Sequence, residues 1–328
     1  MRLLFIRFSS IGDIVLTTAA IRCAHNQIPG VEIHFLTKKS MQDLVASNPY
    51  IHQCHYLDND LEATIAELKK IEFDYIIDLH HNLRSWKIKK ALGIKAFSYQ
   101  KLSVKKLLLA KLHINLLPKT HVCERYIDTL QHFKVVNDGK GLDYFFPNNH
   151  SFAAANLPTS HQAGFITFVI GASYFNKKMP AAKWIQLAAK LKMPIVLIGG
   201  KEDLVVASLI TASNTNSIYN ACGKYSIEES ASIIQMSKLV VAHDTGFLHV
   251  AAAFKKPSIT IWGATSPALQ FEAYYPSVNT PAHFNSTVPH LNCQPCSKQG
   301  DSQCPQGHFA CMQLQDIDLI AAKVKSFL

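Results

Sequence analysis

Short apolar runs alternate along the chain with longer amphipathic stretches, and the order repeats. Leu3–Phe8 predicts a strand, Ser9-Ser10-Ile11-Gly12-Asp13 a turn, and Ile14–Cys23 a helix by its three-to-four apolar spacing. A strand at Val31–Leu36, a helix near Ser40–Ser47, a polar helix at Leu61–Ile71 and a strand at Tyr75–Leu79 follow. Phe145–Ser160 is rich in Pro, Asn and Ser, has no periodicity, and reads as a linker. Beyond it the alternation restarts. Strands are expected at Phe165–Ile170, Ile195–Gly199, Ser217–Ala221, Leu239–His243 and Ser258–Trp262. Between them lie helices at Ala181–Leu191, Asp203–Ala212, Ile227–Ser237 and Leu248–Phe254. Such alternation means βαβ units and parallel sheets. The expected class is therefore α/β, with two doubly wound domains over 1–150 and 161–328, the second ending in a Cys-rich loop and a final helix. Two such domains facing a central cleft suit a two-part substrate, because ligands sit beyond the carboxyl ends of parallel strands.

Charge narrows the partners. Lys and Arg number 33 against 23 Asp and Glu, a surplus that favours an acidic ligand: nucleic acid, an anionic membrane surface or a phosphorylated substrate. No nucleic-acid recognition motif or aromatic–basic repeat supports the first. Arg7 interrupts the first apolar run, and no stretch approaches the roughly 18–20 apolar residues that span a bilayer. The expected location is the cytoplasm, with peripheral contact at the inner membrane face. Eight cysteines in a reducing compartment argue against a disulfide scaffold. The first strand–turn–helix carries one glycine, Gly12, and lacks the G-x-G-x-x-G of a nicotinamide-dependent oxidoreductase.

Candidate chemistry begins at Asp244-Thr245-Gly246, where a strand hands over to a helix. A hydroxyl, a glycine and free N–H groups at a helix N-terminus suit a phosphate, and His249 on the opening turn could reach a phosphate or ribose. The competing reading is a simple helix cap. From Arg84 to Lys119 the chain is dense in cations, and Val104, Leu107, Leu108 and Leu112 share a helical face there. That is the pattern of a helix lying on anionic lipid, or of a surface helix with its apolar side in the core. Cys293, Cys296, Cys304 and Cys311 form C-x2-C-x7-C-x6-C, which fits a closed structural Zn²⁺ site or buried free thiols.

The run Val241–Ala253, with Lys256-Pro257 and Gly263–Pro267, closely resembles the signature of glycosyltransferase family 9, the ADP-heptose:lipopolysaccharide heptosyltransferases. Arg7–Val15 matches that family's opening Gly-Asp turn, Asp78–Ser85 its Asp…Lys/Arg-Ser segment, and Gly171–Trp184 its Lys-x-Trp-Pro stretch. The resemblance implies a GT-B architecture of two Rossmann-like domains, the acceptor bound by the first and the donor by the second. It also implies inversion at the anomeric carbon without metal or cofactor, an ADP-heptose donor and an anionic glycolipid acceptor. Asp13 falls at the catalytic-base position, and a carboxylate that takes the proton of the attacking hydroxyl is what such a transfer needs. Ser10, Gly12, Arg84 and Ser85 fall at acceptor positions. Ser173, Lys177, Asp244, Thr245, Gly246 and His249 fall at donor positions, with Lys178 one step from Lys177 as a substitute for the phosphate lysine. Either Glu202 or Asp203 matches an acidic residue on the donor's ribose. The rival reading on the same fold is a nucleotide-sugar epimerase or a non-catalytic binder of sugar nucleotides.

Overall fold

The computed structural model describes residues 1–328 as two compact units. The first comprises residues 1–101, 120–150 and 276–278, and the second 102–119, 151–275 and 279–328. The boundary after His150 falls inside the expected linker, but residues 102–119 depart from the expected first domain. The helix Ser103–Leu112 buries Leu109 and Ala110 in the second unit and sets the Lys106 ammonium 4.1 Å from the centre of the Phe271 ring. No local pattern could announce that choice of partner.

In the first unit β1 (Arg2–Ile6), β2 (Glu32–Lys38), β3 (Gln53–Leu57), β4 (Tyr75–Asp78) and β5 (Ala96–Ser98) form one parallel sheet in the order β3-β2-β1-β4-β5. The central β1 is buried on both faces, which is why it reads as an unbroken apolar run. The following helix is longer than expected, Ile11–Gln27, and Arg22 on it anchors the returning chain through Asp138, Asp143 and the Gly141 carbonyl. The expected helix near Ser40–Ser47 is instead a 3₁₀ turn, Lys39–Leu44.

In the second unit β6 (Ile166–Val169), β7 (Ile195–Ile198), β8 (Ile218–Asn220), β9 (Val240–His243), β10 (Ser258–Ile261) and β11 (His283–Ser286) form a parallel sheet in the order β11-β10-β9-β6-β7-β8. Its core packs Phe168 against Trp184, with ring centres 4.8 Å apart, under helices Ala181–Leu191 and Ile317–Phe327. Strand order reverses direction between β1 and β4 in the first unit and between β6 and β9 in the second. In open α/β sheets these are the switch points, where the diverging loops leave a crevice at the carboxyl ends.

Candidate active site

The segments that follow the strands at these two switch points carry most of the residues singled out from the sequence. After β1, the buried Arg7 guanidinium donates to the carbonyls of Ser9 (2.8 Å) and Leu79 (2.6 Å) and pairs with Asp13 Oδ1 at 2.7 Å. Asp13 Oδ2 accepts the Ser10 hydroxyl at 2.9 Å and the Ser10 N–H at 3.2 Å. Asp13 therefore does what a capping residue does and remains partly open, its side chain 22% exposed. Burial works against its charge, but the Arg7 guanidinium and the Ser10 hydrogen bonds outweigh it and hold the carboxyl below the usual carboxylate range. Burial also opposes the charge on Arg7, and Asp13 more than compensates. The result is a fixed anion at neutral pH, held in the first turn of helix Ile11–Gln27.

The loop after β4 is built for rigidity. Asp78 is fully buried, accepts the N–H groups of His80 (3.1 Å) and His81 (2.7 Å) on Oδ1, and binds Ser85 Oγ (2.9 Å) and Lys89 Nζ (2.7 Å) on Oδ2. Ser85, an expected acceptor residue, is buried, and its hydroxyl also donates to the Asn82 carbonyl at 3.0 Å, bracing the turn. Arg84 beside it is exposed, as is Ser10, whereas Gly12 is buried inside the helix turn. His80 packs edge-on to Phe8, 4.8 Å between ring centres. Burial, then the nearby charges of Arg7 and Lys101, hold it neutral with a pKa of about 4.

In the second unit the loop after β6 and the loop after β9 meet. Asp244 Oδ2 takes Lys177 Nζ at 2.7 Å and the Thr265 hydroxyl at 2.8 Å. Thr245 is the N-cap of helix Gly246–Ala253, yet its side chain makes no capping hydrogen bond, so the hydroxyl and the helix's positive end stand beside Lys177's anchor. Asp244 thus holds the Lys177 ammonium in place beside the helix end. Lys178 goes elsewhere: its Nζ binds Asp203 Oδ1 at 2.6 Å, and Asp203 Oδ2 also accepts the Gly200 N–H at 2.9 Å. Asp203 is only 3% exposed. It sits so close that a Cβ on Gly171 would lie 2.6 Å from its Oδ2. Of the two acidic candidates Asp203 is committed to the loop, and Glu202 is the exposed one. Ser173 is exposed as well. His249, on helix Gly246–Ala253, is buried. His243, fully buried, accepts the Met179 N–H on Nε2 at 2.8 Å, and burial lowers its pKa to about 3, which fixes the backbone behind both lysines.

The cysteine quartet is brought into one neighbourhood, with Cys293, Cys296 and Cys304 all close enough to act on the Cys311 thiol. None of the four is in a disulfide, and Cys293 Sγ lies 3.9 Å from His308 Nε2. Cys311 is buried, and burial, followed by the neighbouring thiols, pushes it up to about 12. What holds this loop is hydrogen bonding. The Gln294 amide donates to the carbonyls of Trp262, Gly263 and Thr265, and Asn176 ties the loop after β6 to Asp301 and Gln303. Arg7 and Thr265 were not singled out from sequence. An arginine ending a buried strand, directly before a Gly-Asp turn, was the available signal for the first.

The family model "Glycosyltransferase family 9 (heptosyltransferase)" matches residues 62–305. The chain is 24% identical over 328 residues to lipopolysaccharide heptosyltransferase 1 of Pseudomonas aeruginosa, covering 91% of this chain and 87% of the other. Among solved structures, a glycosyl transferase family 9 protein from Veillonella parvula aligns with a TM-score of 0.76 at 18% identity, covering 99% of this chain and 96% of that one. The E. coli heptosyltransferase WaaC with ADP aligns with a TM-score of 0.70 at 18% identity over the full length of both chains. With a family model spanning most of the sequence and the GT-B fold shared from end to end, the chain belongs to glycosyltransferase family 9 and is a glycosyltransferase.

Proposed function

We propose that the protein transfers heptose from ADP-heptose to the lipopolysaccharide core, with inversion and without a metal ion. The observation that carries the reading is the pairing of Lys177 with Asp244, itself held by the Thr265 hydroxyl, at the open end of helix Gly246–Ala253. A nucleoside diphosphate leaving group develops charge on a phosphate oxygen, and a preset cation with aimed N–H groups stabilises that charge in place of a metal. In this reading the second unit binds the donor through Ser173, Lys177, Glu202, Thr245 and Gly246. The first binds the acceptor near Ser10 and Arg84, and Asp13 takes the proton of the attacking hydroxyl. Arg7 keeps that carboxylate ionised and oriented. The protein named above with ADP, and the curated relative named for heptose transfer, support this choice of nucleotide and sugar. A thermal-shift screen tests it: ADP and ADP-heptose should raise the melting temperature, and Lys177→Ala should abolish the effect. A larger shift from UDP- or GDP-sugars would move the donor to another nucleotide.

No helix is long and apolar enough to cross a membrane. Val104, Leu107, Leu112, Ile114 and Leu116 are nevertheless exposed, interleaved with the exposed Lys105, Lys111 and Lys119. Lys106, Leu109 and Ala110 are the buried residues of this helix, so the apolar side named from sequence, with Val104, Leu107 and Leu112, points mostly outward. We read the segment as a peripheral contact with the anionic inner leaflet, where the glycolipid acceptor resides. Sedimentation with vesicles containing phosphatidylglycerol should weaken in Lys105→Glu/Lys111→Glu, and equal binding to neutral vesicles would contradict it.

A further inference from the structure

One cluster of ligand-type side chains lies at the opposite end of the first sheet from Asp13. Glu32 opens β2 and pairs in register with Arg2, the first residue of β1, so it marks the amino end of the sheet. His34 follows two residues later, on the same face. The chain entering β3 brings His52 alongside, its N–H bonded to the Ile33 carbonyl at 2.7 Å. One ligand atom each from Glu32, His34 and His52 lies within 4.8 Å of the others. In a tetrahedral site with bonds of about 2.1 Å the ligand atoms stand about 3.4 Å apart, so a small closing movement brings these three to ligating distance and leaves the fourth position to water.

His34 carries the argument further. It is 3% exposed, facing Phe73 edge-on with ring centres 5.1 Å apart. Its Nδ1 is 2.9 Å from Nε2 of His55, and its own Nε2 is buried with no hydrogen-bond partner. An imidazole steadied through one ring nitrogen by a neighbour, with the other nitrogen bare, is how a metal-binding histidine is held by its outer shell. Burial, and then the neighbouring His55 and His52, keep the ring neutral with a pKa of about 4, so the lone pair is free at neutral pH. Glu32 supplies charge, with Arg2 bound to Oε2 at 2.8 Å and Oε1 remaining. Two imidazoles and one carboxylate suit Zn²⁺ among common divalent ions.

We propose that Glu32, His34 and His52 bind a divalent cation of the zinc type, which clasps the amino ends of β2 and β3, with His55 orienting His34. The site is structural: it stands away from the carboxyl-end loops that hold Asp13, and the transfer reaction does not pass through it. Co²⁺ titration of the chelator-stripped full chain tests it, because cobalt on nitrogen and oxygen shows visible ligand-field bands without thiolate charge transfer. One Co²⁺ should bind with that spectrum. His52→Ala, at an exposed position that leaves the core intact, should weaken binding at least tenfold. His55→Ala should weaken it about 10–100-fold through the outer shell. Zn²⁺ should raise the melting temperature of the native chain and not of His52→Ala. Co²⁺ affinity unchanged in His52→Ala would overturn the proposal. So would a thiolate spectrum that disappears in Cys293→Ser/Cys296→Ser, which would put the ion on the C-terminal loop.

Discussion

Lys177→Ala removes the cation that Asp244 holds at 2.7 Å, and both side chains are mostly buried, at 12% and 14% exposure, so solvent screens the pair little. If Lys177 contacts the donor's diphosphate, losing one hydrogen bond to a charged group costs about 1.5–3 kcal/mol. At 1.4 kcal/mol per factor of ten, that is roughly a 10–150-fold rise in the ADP dissociation constant. The substitution also leaves the Asp244 carboxylate held by Thr265 alone, where it repels the same phosphate. Lys177→Ala/Asp244→Asn removes the repulsion, so the double variant should bind ADP more tightly than the single one. That failure of additivity is the signature of a positioning carboxylate rather than a ligand contact. Calorimetric titration of ADP into each variant measures it, with thermal unfolding as the check on folding. Lys177→Ala binding ADP within twofold of the native chain would refute the reasoning, as would Lys178→Ala losing affinity in its place. A double variant weaker than the single would show that Asp244 touches the donor itself.

Asp13→Asn should leave ADP affinity unchanged and cut transfer by about 10²–10⁴-fold. Because Arg7 and Ser10 hold the Asp13 carboxyl low, its ionisation should not appear in the rate profile above about pH 5. An acid limb at neutral pH that vanishes in Asp13→Asn would contradict this. His34 and His243 are buried and neutral, with pKa values of about 4 and about 3, whereas an unfolded histidine titrates near ~6.5. Unfolding therefore takes up protons below that pH: stability is intact above it and falls as pH drops toward about 4. Each ring contributes about 1.4 kcal/mol per pH unit. Urea midpoints at several pH values read the slope, and a flat profile between neutrality and about pH 5 would sink the idea. Gly171→Ala should cost about 1–3 kcal/mol by overpacking, since the new Cβ would lie 2.6 Å from Asp203 Oδ2 and 3.1 Å from the Gly199 Cα. An unchanged melting temperature would mean that this approach is looser.

How much was legible in the sequence followed from how local each determinant is. β1, β7 and β9 are buried on both faces and announce themselves as continuous apolar runs. β3, Gln53–Leu57, went unread because it is only half buried and carries Gln and His where apolar residues would reveal a strand. A helical face was read within Arg84–Lys119, but the membership of Ser103–Leu112 in the second unit rests on residues far along the chain, such as Phe271 under Lys106. Among the candidate site residues, Asp13 and Lys177 each lie just after a buried strand in a segment whose residue pattern is distinctive. What each one does depends on partners that only the fold supplies: Arg7 pairs with Asp13, and Thr265 joins Lys177 on Asp244. The choice between Glu202 and Asp203 was open for the same reason. Adjacent residues look alike in sequence, and the Gly200 turn with Lys178 buries one of them.

The central claim is a group transfer, and acceptor dependence separates it from every reaction on the donor alone. Purified protein incubated with ADP-heptose, with and without the lipid-linked core acceptor, should release ADP only when the acceptor is present, one ADP for each heptose gained. Asp13→Asn should suppress both. Release of ADP at the same rate without acceptor, or sugar transferred from a UDP- or GDP-donor in preference, would contradict the account.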